Sequence, residues 1–232
     1  MAQRQYNVFE AKTGCRDVEF VVVGLISNNV YFVEDGNGGV IVVDPSDNPD
    51  LLMEIVGERP VSAIFITHNH ADHTGALRAL RDATGATVYC SEIDAPVVEQ
   101  GTSEFGLVAE PCPIDVYLHD GDTITVGATT WRCILTPGHT LGGMCFFLDP
   151  AQAGQGAEGV PLLLSGDILF HASMGRTDLP GGSERDMAAS LKRLGELPDD
   201  TLVLPGHNSP TTIGAERWRI IDFYPKWAGL EQ

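Results

Sequence analysis

His68, His70, Asp72 and His73 stand within six consecutive positions, directly after the apolar run from Val61 to Ile66. Three imidazoles and a carboxylate at a strand end can present several metal ligands from one backbone turn. Side chains alternate along an extended chain, so His68 and His70 face one way and Asn69 the other. Asp72 and His73, beyond the strand end, are expected to turn toward a second position beside the first. One ion rarely takes four ligands from so tight a loop, whereas two adjacent ions do so easily. Three of the seven histidines in the chain fall here, which separates the segment from a polar loop with accidental histidines.

Three further candidates repeat the context, each just past an apolar strand: Ile134-Leu135-Thr136-Pro137-Gly138-His139, Leu163-Leu164-Ser165-Gly166-Asp167 and Leu202-Val203-Leu204-Pro205-Gly206-His207. A glycine before each ligand suits a tight turn and a close backbone approach. Each alone is weak, because a loop histidine is usually only solvated. Four strand ends that all carry Asp or His point jointly to metal. Imidazole with carboxylate suits zinc first, and also iron or manganese.

The elements that must position these donors follow from hydrophobic periodicity. Strands are expected over residues 18–26, 30–33 and 40–43, with Gly36-Asn37-Gly38-Gly39 as the hairpin turn between the last two. A helix over 51–56 closes at Gly57, the ligand-bearing strand covers 64–67, and a helix over 75–83 follows. A strand at 87–90 and a helix at 93–98 lead into irregular chain up to residue 113. The second half repeats the style, with strands at 123–126, 129–135, 144–148, 162–164 and 201–204 and helices at 187–194 and 213–223. The stretch 151–159 reads as a small-residue surface loop, too short for a linker between modules, so one domain over residues 1–232 is expected. Two strand-rich halves, each with helices, predict an α/β fold of two sheets packed face to face with helices outside.

Composition narrows the function classes. The 232 residues are 43% hydrophobic and 20% charged, an ordinary globular balance. Fourteen Lys and Arg stand against 32 Asp and Glu, a net charge of −18. No basic stripe is available to neutralise a phosphate backbone, so a nucleic-acid partner is not expected; the acidity reads as a solubility feature. The opening Met1–Tyr6 segment lacks the pattern of a signal peptide, and no run approaches the roughly 18 apolar residues that cross a bilayer. The five cysteines are odd in number and contain no Cys-x-x-Cys pair. Cys133 and Cys145 lie inside apolar runs, where a thiol behaves as a small hydrophobe, and a reducing cytoplasm is the expected compartment.

The ordered set His68-x-His70-x-Asp72-His73, His139, Asp167 and His207 resembles the metallo-β-lactamase superfamily, in its hydroxyacylglutathione hydrolase (glyoxalase II-like) branch. The segments Gly166-Asp167-Ile168-Leu169-Phe170 and Gly175-Arg176-Thr177-Asp178-Leu179-Pro180-Gly181-Gly182 sharpen the likeness to small bacterial members. The resemblance implies a four-layer αβ/βα sandwich of two mixed sheets with the metals at one edge. It also implies a first metal site of His68, His70 and His139, a second of Asp72, His73 and His207, and Asp167 bridging the two. Two ions roughly 3.5–4 Å apart would share a water and lower its pKa toward neutrality, giving a hydroxide nucleophile that Asp72 could aim. A thiolate leaving group needs little protonation, a thiol pKa being about 8.5. A site without a separate general acid therefore fits acyl thioesters better than amides, and a small-molecule thioester is the expected substrate.

By the same resemblance Arg176 stands where a basic residue grips the glycyl carboxylate of glutathione, with pairing to Asp178 as the alternative. Asp178 and Ser209 occupy the positions of two glutathione-contacting tyrosines. Only 25 residues follow His207, fewer than the helical carboxy-terminal domain of longer glyoxalases requires. True β-lactamases of the superfamily commonly carry Cys at the position of Asp167, which disfavours antibiotic hydrolysis. Rival readings are a persulfide dioxygenase with one iron on two histidines and Asp167, a lactone or phosphodiester hydrolase, and a non-enzymatic metal-binding protein. His119 reads as a surface histidine and His171 as a border of the cleft. Asp44 is either a partner that orients a ligand histidine or a turn cap. Trp131, Trp218 and Trp227 read as packing residues.

Overall fold

The apolar runs of the first half pair into one sheet and those of the second half into another. The computed structural model describes residues 7–13, 15–104 and 106–229; the segment Met1–Tyr6 and the side chain of Trp227, both read above, lie outside the described residues. In the first half, β1 (Val8–Lys12), β2 (Asp17–Val23), β3 (Asn28–Glu34) and β4 (Val40–Val43) pair antiparallel in sequence order. The sheet then continues in parallel through β5 (Val61–Phe65), β6 (Thr87–Ser91) and, after a small hairpin of β7 (Thr102–Glu104) and β8 (Leu107–Ala109), β9 (Val116–Leu118). In the second half, β10 (Thr123–Val126), β11 (Thr129–Leu135), β12 (Met144–Leu148) and β13 (Leu162–Gly166) run antiparallel. A two-stranded excursion, β14 (Leu169–Phe170) and β15 (Ser173–Met174), precedes β16 (Leu202–Pro205), which is parallel to β13 and carries the short β17 (Thr211–Thr212) at the edge.

Strands buried on both faces need cover on both, and three apolar clusters supply it. Between the sheets lie Tyr31, Phe65, Trp131, Phe146 and Leu164; the rings of Phe65 and Phe146 stack at 4.6 Å, and Trp131 meets Phe65 edge-on at 5.8 Å. Outside the first sheet, α1 (Pro49–Val56), α3 (Leu77–Thr84) and α4 (Ala95–Gln100) bury Leu52, Ile55, Leu77, Leu80 and Val98. Outside the second, α5 (Glu184–Leu194) buries Met187, Leu191 and Leu194. The architecture is the four-layer αβ/βα sandwich expected from the sequence. Its parallel pairs position the site: β4 and β5 release Asp44 and the His68 segment at one edge, and β13 and β16 release Asp167 and His207 at the facing edge.

Several boundaries differ from the sequence reading, each for a local reason. The strand expected over 18–26 stops at Val23, because Gly24 (φ 76°) and Ser27 (φ 63°) turn the chain into the left-handed region. The helix expected at 75–83 is preceded by a separate turn, α2 (Ala71–Thr74), inside the ligand segment. The stretch after residue 98 is not irregular, since the hairpin of β7 and β8 packs over α2. The final helix is broken: α6 (Ile213–Glu216) widens into a π turn over Arg217–Ile221 before α7 (Tyr224–Trp227). Trp218, expected to pack, is 71% exposed, because Ile213 and Ile221 fill the buried side of that segment. Among the described residues no helix is long and apolar enough to cross a membrane, and all five cysteines are buried and free.

Trp131 is fully buried and its indole N–H donates to Thr129 Oγ1 at 2.8 Å. Trp131→Ala is expected to lower unfolding free energy by about 3–5 kcal/mol, read from urea denaturation; a change below about 1 kcal/mol would contradict its place at the centre of the inter-sheet core.

Candidate metal centre

Past Phe65 the chain leaves the sheet, so His68 and His70 do not share a strand face as alternation alone implies. His70 is extended (φ −66°, ψ 146°) and caps α2, whose first turn carries Asp72 and His73. The His73 amide donates to the His70 carbonyl at 3.0 Å, and Thr74 Oγ1 donates to the same carbonyl at 3.0 Å. One helical turn thus carries Asp72 and His73 beside the first pair, with the His73 ring 4.1 Å from that of His68. The donor atoms of His68, His70 and His139 lie within 4.8 Å of one another, and so do those of Asp72, His73 and His207. Asp167 sits between the groups: Oδ2 is 3.5 Å from Nε2 of His139 and of His207, and Oδ1 is 3.5 Å from Nε2 of His73.

The protons of the cluster can be assigned from the hydrogen bonds around it. Thr67 Oγ1 donates its single proton to Asp44 Oδ2 at 2.6 Å. His68 Nδ1, 2.9 Å from the same hydroxyl, must then be the N–H partner. That leaves a lone pair on His68 Nε2, which is buried with no hydrogen-bond partner. His73 Nδ1 donates to Asp44 Oδ2 at 3.0 Å, and His139 Nδ1 to the Arg176 carbonyl at 2.8 Å. In both, Nε2 faces the cluster. Asp167 Oδ1 is the second buried atom without a hydrogen bond. Leaving such groups unpaired costs about 1–3 kcal/mol each. Orphaned lone pairs converging from imidazole and carboxylate, with His68, His73 and His139 each fixed by the far nitrogen, fit bound divalent metal.

Electrostatics divides the same residues. Burial, reinforced by neighbouring imidazoles, holds the pKa of His68 well below its ordinary value and pushes His70 down to about 4. Burial acts against the charge of His73 and His207 too, but the carboxylates outweigh it: Asp167, Asp72 and Asp44 raise His73, and chiefly Asp72 raises His207. For Asp72 burial pushes upward, yet His73, His207 and Asn28 prevail and hold its carboxyl far below the usual range.

Sequence reasoning missed the residues that hold the donors. Buried Asn28 donates to Asp72 Oδ2 at 2.7 Å. Its neighbour Asn29 donates through Nδ2 to the carbonyls of Pro205 and Asn208, and Tyr31 OH donates to Pro205, so β3 clamps the His207 loop. Buried Asp94 accepts from the amides of Asn69 and Gly142 and from Thr140 Oγ1, tying the His68–His70 segment to the His139 loop. Asp44 takes the orienting role, with its φ of 49° showing the tight turn that aims it. Gly206 allows a close approach, for a Cβ there would collide with Asp167 Oδ1 and lie 2.6 Å from His73 Cε1.

A cavity of about 450 Å³ opens over the donors. Arg176 lines it, but its guanidinium is engaged with Asp178 through Nε and Nη2 at 2.7 and 2.8 Å. His119 is exposed and pairs with Glu92 and Asp122, away from the cluster. Exposed His171 and Ser209 border an adjoining cavity that shares His207.

The Metallo-beta-lactamase superfamily model matches residues 23–207, and the chain belongs to that superfamily, whose members are generally metal-dependent hydrolases. It is similar to the hydroxyacylglutathione hydrolase of Pseudomonas entomophila, 35% identical over 185 residues that cover 78% of this chain and 61% of that protein. It is 33% identical to TTHA1623, solved in a di-iron-bound form, with a TM-score of 0.73 over 86% of this chain and 97% of that one. ETHE1 from Myxococcus xanthus is 28% identical, with a TM-score of 0.71 over 91% and 84%.

Protons compete for an imidazole only below its pKa. The His68 and His70 values are depressed while those of His73 and His207 are raised, so acid should strip the group around His73 first. Metal-loaded protein dialysed at falling pH is expected to lose one equivalent before the other by elemental analysis, with the acid-resistant equivalent abolished by His70→Ala and kept in His207→Ala; the reverse pattern would contradict the assignment. Asp44→Asn is expected to weaken metal affinity about 10- to 100-fold in a competition titration with a chromophoric chelator, and unchanged affinity would remove its orienting role.

Proposed function

We propose that the chain is a thioester hydrolase of hydroxyacylglutathione hydrolase type that works with two divalent ions, zinc foremost, with iron or manganese also compatible. The observation that carries this reading is the place of Asp167, within 3.5 Å of imidazoles from both donor groups. A single ion has no use for seven donors split about a shared carboxylate. Held there, divalent ions would lower the pKa of water toward neutrality and polarise an acyl carbonyl.

The protein's own groups do the rest. His68, His70 and His139 would hold one ion and Asp72, His73 and His207 the other, with Asp167 common to both. Asp72 lines the cavity, stays ionised, and is fixed by Asn28. That makes it the group to accept a hydrogen bond from the attacking water and aim it at the carbonyl. No other acid among the donors is needed to release a thiolate, which leaves readily. The hydroxyacylglutathione hydrolase relatives support a small-molecule acyl thioester, and five buried free cysteines support a reducing compartment such as the cytoplasm.

A persulfide dioxygenase is the second reading, supported by the likeness to ETHE1; it would use one iron and consume oxygen. Metal counting with oxygen uptake on glutathione persulfide separates the two. Asp72→Ala is expected to lower kcat by about 10²-fold or more on whichever acyl thioester the unaltered protein turns over, S-lactoylglutathione or a glutathione-free one, with circular dichroism and Tm preserved. Full turnover in that variant would contradict the aiming role.

A further inference from the structure

The cavity over the donors has an unusual wall. Leu25 and Ile26 stand at its mouth on the turn between β2 and β3, 83% and 54% exposed. Gly24 and Ser27, both left-handed, present the pair outward. Leu107 of β8, Phe170 of β14 and Leu179 complete an apolar lining that runs down to Asp72 and His139. Large aliphatic side chains held in water beside a reactive centre gain free energy only when something apolar covers them.

The polar side of the cavity points the same way. Apart from the metal donors, its charged side chains are Glu104 and Arg176. Arg176 is the only Lys or Arg among the described residues of the lining, and its charge is already matched by Asp178 in a two-pronged pair. Glu104, half-buried on β7, keeps its carboxylate against the Ala71 amide, beside Asp72. Apart from the ions proposed at the donors, an incoming carboxylate would meet Glu104 and only Arg176, already paired with Asp178. Glutathione brings two carboxylates against one ammonium, a net negative charge.

We propose that this cavity binds thioesters through an uncharged alkyl arm laid along Leu25, Ile26, Leu107 and Phe170, and that Glu104 sets specificity by excluding anionic arms such as glutathione. The inference rests on the thioester-hydrolase reading, whose substrate class it narrows. The alkyl arm displaces water from the exposed pair at the mouth, and affinity grows with its length. A buried methylene is worth about fourfold in affinity, so incomplete burial of a six-carbon arm still gives a large preference over one carbon.

Binding separates this claim from catalysis. Non-hydrolysable S-methyl and S-hexyl thioethers of N-acetylcysteamine, and S-hexylglutathione, are titrated calorimetrically into the metal-loaded protein, and the matching acyl thioesters are assayed for turnover. S-hexyl-N-acetylcysteamine is expected to bind at least tenfold tighter than the S-methyl compound and tighter than S-hexylglutathione. Leu25→Ser with Ile26→Ser, at exposed positions, should remove most of the length preference, and Glu104→Gln should strengthen S-hexylglutathione several-fold. Equal binding of methyl and hexyl compounds, no binding of either, or S-hexylglutathione binding tightest and insensitive to Glu104→Gln overturns the proposal. A clear alkyl preference without turnover of any thioester leaves the cavity's specificity standing and sinks the hydrolase reading. Turnover without alkyl preference does the opposite.

Discussion

A lone pair buried without a partner is expensive, and this protein sets two at one seam. His68 Nε2 and Asp167 Oδ1 are withdrawn from water and satisfied by no protein group. Around them the far nitrogens of His68, His73 and His139 are bonded to Thr67, Asp44 and the Arg176 carbonyl, so these rings cannot turn away to find other partners. A divalent ion removes the penalty because it accepts the electron pairs that no donor hydrogen reaches. The rest of the fold can be understood as the means of keeping those atoms converged.

Convergence comes from the pairing of strands rather than from the ligand loops themselves. Parallel β4 and β5 bring Asp44 against Thr67 and His73, while parallel β13 and β16 bring Asp167 beside His207. The two edges belong to different sheets, held by the shared core and stapled at the site by polar side chains. Asn29 and Tyr31 reach from the first sheet to the carbonyls beside His207, and Asp94 reaches from the end of β6 to the His139 loop. These are neutral or singly charged groups with every strong contact satisfied, the condition under which a buried polar network stiffens a site instead of weakening it.

The donors were legible because their context repeats: an apolar strand, a turn residue, then Asp or His. The layers were legible because β4 and β12 are apolar throughout, and β3 and β13 carry the apolar runs Val30–Val33 and Leu162–Leu164, as strands covered on both faces must. What escaped was long-range and polar. Asn28 meets Asp72 across 44 positions, and Asp94 meets Thr140 across 46; Asn and Asp in turns are so common that neither stands out locally. The short strands β7 and β8 escaped because three residues carry too little alternation to read. Asp178 was visible as a partner for Arg176, but which of two roles the arginine takes depended on a distance. The exposure of Trp218 followed from a π turn that periodicity does not announce.

The centre's claim to two ions is tested most directly by metal counting on protein loaded under reducing conditions, paired with the Asp167→Ala variant. Two equivalents bound per chain by elemental analysis, falling to one or none when the shared carboxylate is removed while the fold persists, is the expected result. A single equivalent in the unaltered chain, or two that survive loss of Asp167 with unchanged affinity, would contradict it.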